Sequence, residues 1–282
     1  TLLDCPDTDA NRKAFGRPSN QTSHGAFPKA RVVSLCELAT RVLWRSVIGS
    51  YHQNEQKLTQ ALLEHLTPSM LLLADRHFGV APIIYPLLKR RIGFLIRAKK
   101  SQVFAVEKVL SDGSFLSKIY LGKNDRRSGR HGKTIRVIRY THRDPNRPGC
   151  GEVHVLVTSL LDAEKYPVVE LIEFYHVRWE EEIAFSEWKV ALGKKKMLRS
   201  QSPAMVRQEI WGRLLSHYIV RTLIFDAAAV AQVEPIGISF TGALDVLMAR
   251  LPEIPKSRVN RKRWLTNLIN EIAEEKMPPR AN

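Results

Sequence analysis

The sequence predicts an α/β fold with a β-rich insertion and a helical C-terminal region. Strands and helices alternate as far as Ala98, short strands with turn residues fill 103–170, and helical periodicity dominates from Val168 onward. The chain is 44% hydrophobic and 26% charged, which excludes disordered and low-complexity classes. Its three cysteines are far apart and form no CxxC pair, which disfavours a disulfide scaffold and a Cys-based zinc site.

The first hundred residues predict the α/β part. Residues 1–27 are rich in Asp, Asn, Gly, Pro and Ser and predict a loop-rich segment. β-branched runs, helical spacing of apolar residues and an unbroken apolar run ending at Asp75 predict the elements that follow. These are strands at 31–35 and 42–48, a helix at 55–66, a fully buried strand at 70–74, a helix near 82–91 and a strand at 94–98.

The remaining residues predict the insertion and the helical region. Ser111–Ser114 predicts a hairpin turn, and alternation predicts strands at 134–140 and 152–160. Helices are predicted at 171–192, 203–233, 239–251 and 263–275. The apolar stretch 218–233 contains Arg221 and Asp226 and is too short to span a bilayer. Because no signal peptide is visible either, we expect an intracellular protein without a membrane partner.

The positive charge is concentrated in one segment. The formal net charge is +16, and residues 89–147 hold 17 Lys or Arg against four acidic residues, a net of +13. Clustered cations on hairpins suit contacts with the phosphates of nucleic acid. The alternative is a solvated basic loop, but the density of charge favours nucleic acid. The cations expected around the hairpin tip are Lys123, Arg126, Arg127, Arg130 and Lys133.

Two places in the sequence could carry chemistry. Asp75 follows the predicted buried strand, so it lies at the sheet edge where open α/β sheets place their sites, although such an Asp is also a common turn or cap residue. On the predicted helix 171–192, four residues fall within a sector of roughly 60°. They are Tyr175, Arg178, Glu182 and Lys189.

The alternative for this stripe is an exposed face with ion pairs such as Arg178 with Glu182. Since Glu180, Glu181 and Glu187 lie nearby, spacing alone does not select Glu182. The chemistry of phosphodiester cleavage favours a functional role for Glu182. Cleavage by two Mg²⁺ ions needs clustered carboxylates, which here would be Asp75, Glu182 and at least one further acid. The histidines show no HxxxH or HxH spacing, which disfavours a His-based zinc hydrolase.

The spacing Tyr175-x2-Arg178-x3-Glu182-x6-Lys189 resembles the Tyr-Arg-Glu-Lys signature of DDE transposases of bacterial insertion sequences, in the type-four insertion-sequence family. The stretches 73–78, 174–179 and 198–209 also resemble that family, over essentially the whole chain. The resemblance implies a ribonuclease-H-like core formed by 1–102 and 168–200, a β-rich basic insertion at 103–167 and a C-terminal helical region at 201–282.

The resemblance also implies function. We expect cut-and-paste transposition by cleavage and strand transfer of transposon-end DNA with Mg²⁺, or Mn²⁺ in its place. Asp75 and Glu182 would be catalytic metal ligands, and Tyr175, Arg178 and Lys189 would contact the DNA end. The implied partners are double-stranded DNA of transposon ends and target, and a second copy in a homodimer formed through the C-terminal helices. The expected location is the bacterial cytoplasm, at the nucleoid.

One departure from the family pattern concerns its first Asp, which lies in an Asp-Gly-Thr turn before a Leu-Asp-x-Pro-Asp-Thr stretch. Leu3–Thr8 matches that stretch, so we expect the first catalytic Asp and a DNA-recognition region to lie upstream of Thr1. The alternatives are a truncated or domesticated transposase that binds DNA without catalysis, and an unrelated paired-carboxylate hydrolase such as a glycosidase. The glycosidase predicts an acidic, aromatic-lined cleft, which the basic insertion disfavours.

Overall fold

The structure is a computed structural model that describes residues 1–19, 25–141, 150–193 and 197–278. The chain forms two compact units. Unit 1 contains Thr1–Gln53 and Trp179–Asn282, and unit 2 contains Asn54–Arg178. Both units combine a β-sheet with helices, so the predicted α/β class is confirmed at this level.

The described residues form nine strands and nine α-helices. The strands are β1 (Leu2–Asp4), β2 (Lys29–Glu37), β3 (Val42–Ser50), β4 (Leu71–Ala74), β5 (Gly93–Arg97), β6 (Lys108–Val109), β7 (Phe115–Ile119), β8 (Lys133–Thr141) and β9 (Val153–Thr158). The α-helices are α1 (Asp9–Phe15), α2 (Glu55–Leu63), α3 (Ala81–Lys89), α4 (Lys123–Ser128), α5 (Val168–His176), α6 (Trp179–Ser186), α7 (Pro203–Ala231), α8 (Phe240–Arg250) and α9 (Arg258–Ala273). A π-helix, Glu187–Leu192, continues directly from α6.

Unit 1 packs helices on a small antiparallel sheet of order β1-β2-β3. One apolar core joins this sheet to α1, α6 and the first half of α7, with Phe15, Val32, Trp188 and Ile210 fully buried. A second core joins the rest of α7 to α8 and α9. The long helix α7 therefore connects the two cores.

By length and composition, α7 is also apolar enough to cross a membrane. Its inward face, however, supplies buried residues to both cores of unit 1, among them Ile210, Leu214, Val220 and Ile224. This arrangement is typical of the central helix of a globular unit. The two charged residues of the apolar stretch differ, since Arg221 is fully buried and Asp226 is exposed.

Unit 2 is built on a six-stranded sheet of order β4-β5-β9-β8-β7-β6. The pair β4 and β5 is parallel and is linked by α3, while all other pairs are antiparallel. Leu95, Ile138 and Leu156 of three neighbouring strands pack with Leu171 and Tyr175 of α5. The C-terminal end of β4, and hence Asp75, lies at one side of this sheet.

Most predicted elements are confirmed, with shifts of a few residues at their ends. This holds for β2, β3, α2, α3, β5, β8, β9 and the last three long helices. The predicted hairpin turn joins β6 to β7, where Gly113 adopts a φ of +80° that favours glycine. The strand predicted at 70–74 also exists, but the prediction that it is fully buried is wrong. Leu71–Ala74 is half-buried, because β4 is an edge strand that pairs only with β5.

Two further predictions are corrected. The N-terminal segment is not only loop, because β1 pairs with β2 and α1 begins after Thr8, whose hydroxyl accepts the Asn11 N–H as an N-cap. The single helix predicted at 171–192 is wrong, since it is interrupted at Val177 and Arg178 and ends as a π-helix. At the interruption, Val177 N–H and Arg178 N–H donate to carbonyls three residues back, which tightens the last turn of α5.

Candidate active site

Glu182 lies in an open cleft of unit 1. The cleft has a volume of about 380 Å³ and is lined by Thr1, Glu181, Glu182, Phe185, Ser186, Lys189 and Val190. Glu182 is exposed and lies on α6, and Lys189 lies seven residues later on the π-helix. The predicted pair Glu182 and Lys189 is thus brought to one cleft, where a carboxylate and an ammonium group face solvent together.

The neighbouring glutamates differ from Glu182 in burial. Glu180 and Glu187 are buried, and both accept hydrogen bonds from the guanidinium of Arg41, at 2.5 Å from Nε to Glu180 and 3.2 Å from Nη1 to Glu187. Glu187 also accepts from Arg221 Nε at 2.9 Å and lies 3.3 Å from His217 Nε2. These two acids are therefore internal ion-pair partners, whereas Glu181 and Glu182 line the cleft.

The electrostatics of Glu187 follow from its partners. Burial by itself would raise the pKa of this carboxyl, but the hydrogen bonds from His217 and Arg221 and the charge of Arg41 outweigh burial and hold the pKa below its usual range. Burial lowers the pKa of His217, although its contact with Glu187 opposes that change. Glu187 is therefore a carboxylate between two guanidinium groups.

Asp75 lies in unit 2, directly after β4. Its Oδ1 accepts the His77 N–H at 2.8 Å, so the side chain closes the turn that follows the strand. Gly79 keeps this turn close to β5, because a Cβ at that position would lie 2.5 Å from the Arg97 carbonyl oxygen. One oxygen of Asp75 therefore has the turn-closing role that was the alternative to a functional role. The Asp75 side chain is half-buried.

Tyr175 and Arg178 are also in unit 2. Tyr175 is only 6% exposed, and its hydroxyl donates to the carbonyl of Ala74 at 3.1 Å, next to Asp75. Burial raises the pKa of Tyr175 to about 12, with the charge of Arg178 opposing the rise. The Arg178 guanidinium lies 6.0 Å from the centre of the Tyr175 ring. Tyr175 therefore fixes the end of β4.

The basic residues of the insertion are exposed. The predicted hairpin tip is the connection between the antiparallel strands β7 and β8, and it contains a short helix, α4. Three of the five predicted cations lie on α4, and all five are exposed, namely Lys123, Arg126, Arg127, Arg130 and Lys133. Part of the segment counted at +13 falls at 142–149, outside the described residues.

Sequence reasoning missed part of the cleft around Glu182. Phe185, Ser186 and Lys189 follow Glu182 at helical spacing, so this signal was present for the first two. No such signal existed for Thr1, whose carbonyl accepts the Val32 N–H at 2.9 Å and which reaches the cleft through the sheet. Because Asp75 and Glu182 belong to different units, their meeting at one site stays a prediction. Within the described ranges, no group of three or more His, Cys, Asp or Glu side chains could hold a metal ion.

Comparison with known proteins places these residues in a family. The family described as "Transposase DDE domain" matches residues 1–219. The chain is 26% identical over 275 residues to "Transposase InsG for insertion sequence element IS4" of Escherichia coli (strain K12). This alignment covers 95% of the chain and 60% of the relative, so the chain spans about 60% of that relative's length. The chain therefore belongs to the DDE transposase family.

Proposed function

We propose that this protein cleaves transposon-end DNA and transfers its strands, with Mg²⁺ or Mn²⁺ as cofactor, in cut-and-paste transposition. The observation that carries the proposal is the cleft in which Glu182 and Lys189 lie together, in a chain of the DDE transposase family. The fold proposed with it is ribonuclease-H-like, and it is supported by the parallel pair β4 and β5 with its connecting helix and by the antiparallel β1-β2-β3 sheet.

The residues present fit a divalent metal. Mg²⁺ prefers carboxylate oxygens, and Glu182 offers them in an open cleft, while Asp75 has a second oxygen beside the one that accepts from His77. Glu182 and Asp75 would hold the metal together with at least one further acid. The bound metal would lower the pKa of a water or hydroxyl nucleophile and stabilise the leaving oxygen.

The other site residues would handle the DNA. Lys189, beside Glu182, would attract a phosphate, and Arg178 would hold a second phosphate through its planar guanidinium. Tyr175 would orient the strand end that carries Asp75 through its bond to Ala74, in addition to the DNA contact that the family resemblance implies. The exposed cations on and after α4 would hold the DNA backbone without reading its sequence.

The proposal is tested by an assay in which the complete gene product cleaves transposon-end DNA. Glu182→Gln and Asp75→Asn keep the shape of the side chain and remove the charge, so both should abolish cleavage in Mg²⁺ while DNA binding survives. Glu181→Gln is the matched control, because Glu181 lines the same cleft and should not be needed for cleavage. Arg178→Ala and Lys189→Ala should weaken DNA binding, each lowering its salt dependence by about one unit.

Two outcomes would contradict the catalytic role. Cleavage by Glu182→Gln at the wild-type rate would remove Glu182 from the reaction. DNA binding by a wild-type protein that never cleaves end DNA would instead identify a transposase-derived DNA-binding protein. The two results are distinguishable because binding and cleavage are measured on the same labelled DNA.

We also propose a homodimer formed through the C-terminal helices, in the cytoplasm at the nucleoid. Support comes from an apolar stripe on α7, which comprises Trp211, Leu215, Tyr218 and Phe225 and is between 48% and 59% exposed. These residues follow one another at helical spacing and share one face. Leu215→Lys should weaken self-association in sedimentation experiments, whereas Lys in place of the exposed Thr241 on α8 should not.

A further inference from the structure

A buried network of charged residues lies behind the Glu182 cleft, within unit 1. It consists of Arg41, Glu180, Glu187, His217 and Arg221, and is called the Arg41 network below. Arg41 and Arg221 are at most 1% exposed, and the two glutamates are at most 9% exposed. The two guanidinium groups and the two carboxylates balance in charge, and burial lowers the pKa of the His217 imidazole beside them. None of these residues lines the cleft, and the proposed reaction uses none of them.

The network and the cleft are connected by helical geometry. Glu180 and Glu187 are seven residues apart, as are Glu182 and Lys189, and seven residues correspond to nearly two full turns. Glu180 and Glu187 face inward, onto the one guanidinium of Arg41, and Glu182 and Lys189 face the cleft. Any rotation of segment 180–189 about its axis would move both pairs together.

Arg41 contacts this segment at two points. Nε donates to Glu180 on α6, and Nη1 donates to Glu187 at the start of the π-helix. A second anchor comes from α7, because Arg221 Nε donates to Glu187, while the Arg221 guanidinium lies 5.3 Å from the centre of the Phe240 ring of α8. The junction between α6 and the π-helix is thus held from the β2–β3 turn and from α7.

The backbone of Arg41 gives an independent reason to regard its side chain as required. Arg41 ends the turn between β2 and β3 with a φ of +58°, a conformation that favours Gly or Asn over Arg. A side chain that only closed a hairpin would not need to be Arg at such a position. Here the turn delivers a guanidinium into the interior, 139 residues away in sequence from Glu180.

We propose that Arg41 is a positioning residue for the reaction, which sets the rotation of segment 180–192 by bridging Glu180 and Glu187, so that Glu182 and Lys189 are presented together to metal and phosphate. This inference rests on the proposed function for its effect on cleavage. The structural part of the inference, that Arg41 holds segment 180–192 in place, does not depend on the proposed function. Removing the bridge should therefore loosen the segment even where charge balance is kept.

The test uses the double variant Arg41→Gln/Glu180→Gln, which removes one charge of each sign. If the buried ion pair only maintained charge balance, the double variant would match the wild type in urea midpoint, in amide exchange of 180–192 and in cleavage rate. Positioning predicts a urea midpoint near that of the wild type, faster amide hydrogen exchange in 180–192, and a maximal cleavage rate lower by about tenfold or more, since small misplacements of reacting groups cost that much. The DNA concentration for half-maximal rate should rise less than it does in Lys189→Ala, because Lys189 remains and only its placement changes.

Two further variants complete the experiment. Arg250→Gln/Glu271→Gln removes a charge pair that joins α8 to α9, at 2.9 Å from Nε to Oε2, and should change neither exchange in 180–192 nor cleavage. Arg41→Lys keeps the charge but cannot bridge two carboxylates with a planar fork, and it gives the same exchange test if the double variant fails to fold. It should show faster exchange in 180–192 as well.

The results separate this inference from the proposed function. Wild-type exchange rates in 180–192 for both Arg41 variants would overturn the inference, as would faster exchange with an unchanged cleavage rate. A wild-type protein that does not cleave DNA would contradict the proposed function instead, and the exchange rates would then decide the structural part of the inference alone.

Discussion

At the scale of single residues, the ionised carboxylate of Glu187 contributes to the free energy of unfolding of unit 1. Its pKa is lower in the folded state than in the unfolded chain, where it lies near 4.5. As the pH falls, the unfolded chain binds the proton first. The stability that Glu187 contributes is therefore present above pH 4.5 and is lost as the pH falls through the folded value.

Glu187→Gln should make this dependence visible. At pH 7 the amide leaves Arg41 and Arg221 without their shared carboxylate, so the free energy of unfolding should fall by about 3–5 kcal/mol. As the pH falls below 4.5, the pKa of Glu187 in the unfolded chain, the variant should lose less stability than the wild type. Urea unfolding at several pH values measures both effects. The exposed Glu234 offers the control Glu234→Gln, and equal acid slopes in all three proteins would contradict the prediction.

Tyr175 supports a second residue-scale prediction. Tyr175→Phe removes the hydroxyl that donates to Ala74, so the free energy of unfolding should fall by about 0.5–1.5 kcal/mol. Cleavage should fall as well if the end of β4 orients Asp75. Tyr218→Phe is the matched control, because Tyr218 is 48% exposed on α7, and it should change stability by less than about 0.5 kcal/mol. Equal effects of the two changes would mean that the Ala74 bond has no special role.

The sequence could predict the site residues more readily than their surroundings. Spacing placed Glu182 and Lys189 on one face, and both residues line the same cleft. It could not separate Glu182 from Glu180 and Glu187, because burial of those two depends on Arg41, which precedes them by 139 and 146 residues. Long-range ion pairs of this kind leave no local periodicity.

At the scale of elements, the same limit explains the helix predicted at 171–192. Its apolar and charged residues repeat with helical spacing throughout, so the local pattern favours one helix. Contacts between residues far apart in sequence act on this segment at two places: at Tyr175, whose hydroxyl donates to the carbonyl of Ala74, and at Glu187, which three residues of the Arg41 network contact. Single π-turns in helices often mark functional sites, and here the π-helix carries Lys189.

Helix α9 carries its charges against its dipole, and this supports a prediction about stability. Its first turn contains Arg258 and no acidic residue, and the N-cap Ser257 makes no side-chain hydrogen bond. Arg258→Glu should raise the free energy of unfolding by about 0.3–1 kcal/mol at low salt, because a negative charge is favourable at a helix N-terminus. The gain should shrink as salt screens the charges.

The control for this prediction lies one turn further along α9. Lys262→Glu makes the same change of charge on an exposed residue, but beyond the first turn, where the dipole acts weakly. Urea midpoints of both variants at low and high salt measure the difference. A gain for Lys262→Glu as large as that for Arg258→Glu would assign the effect to relief of repulsion among the cations instead.

At the scale of the whole molecule, a net charge of +16 attracts any polyanion, and this long-range attraction must be separated from contacts at a defined surface. Two exposed clusters of five cations allow the separation. The insertion cluster consists of Lys123, Arg126, Arg127, Arg130 and Lys133. The α9 cluster consists of Lys256, Arg258, Arg261, Lys262 and Arg263.

Replacing either cluster by Ser lowers the net charge by the same amount, so the two variants form a matched pair. If the insertion cluster contacts phosphates, its variant should lose more DNA affinity at low salt, and log K should fall less steeply with log salt, by about 0.9 for each contact removed. Both variants should keep the free energy of unfolding within about 0.5 kcal/mol of the wild-type value, because the residues are on the surface. Equal losses in the two variants would show that overall charge, rather than the insertion, binds DNA, and unchanged affinity in both would show that these cations are only solvated.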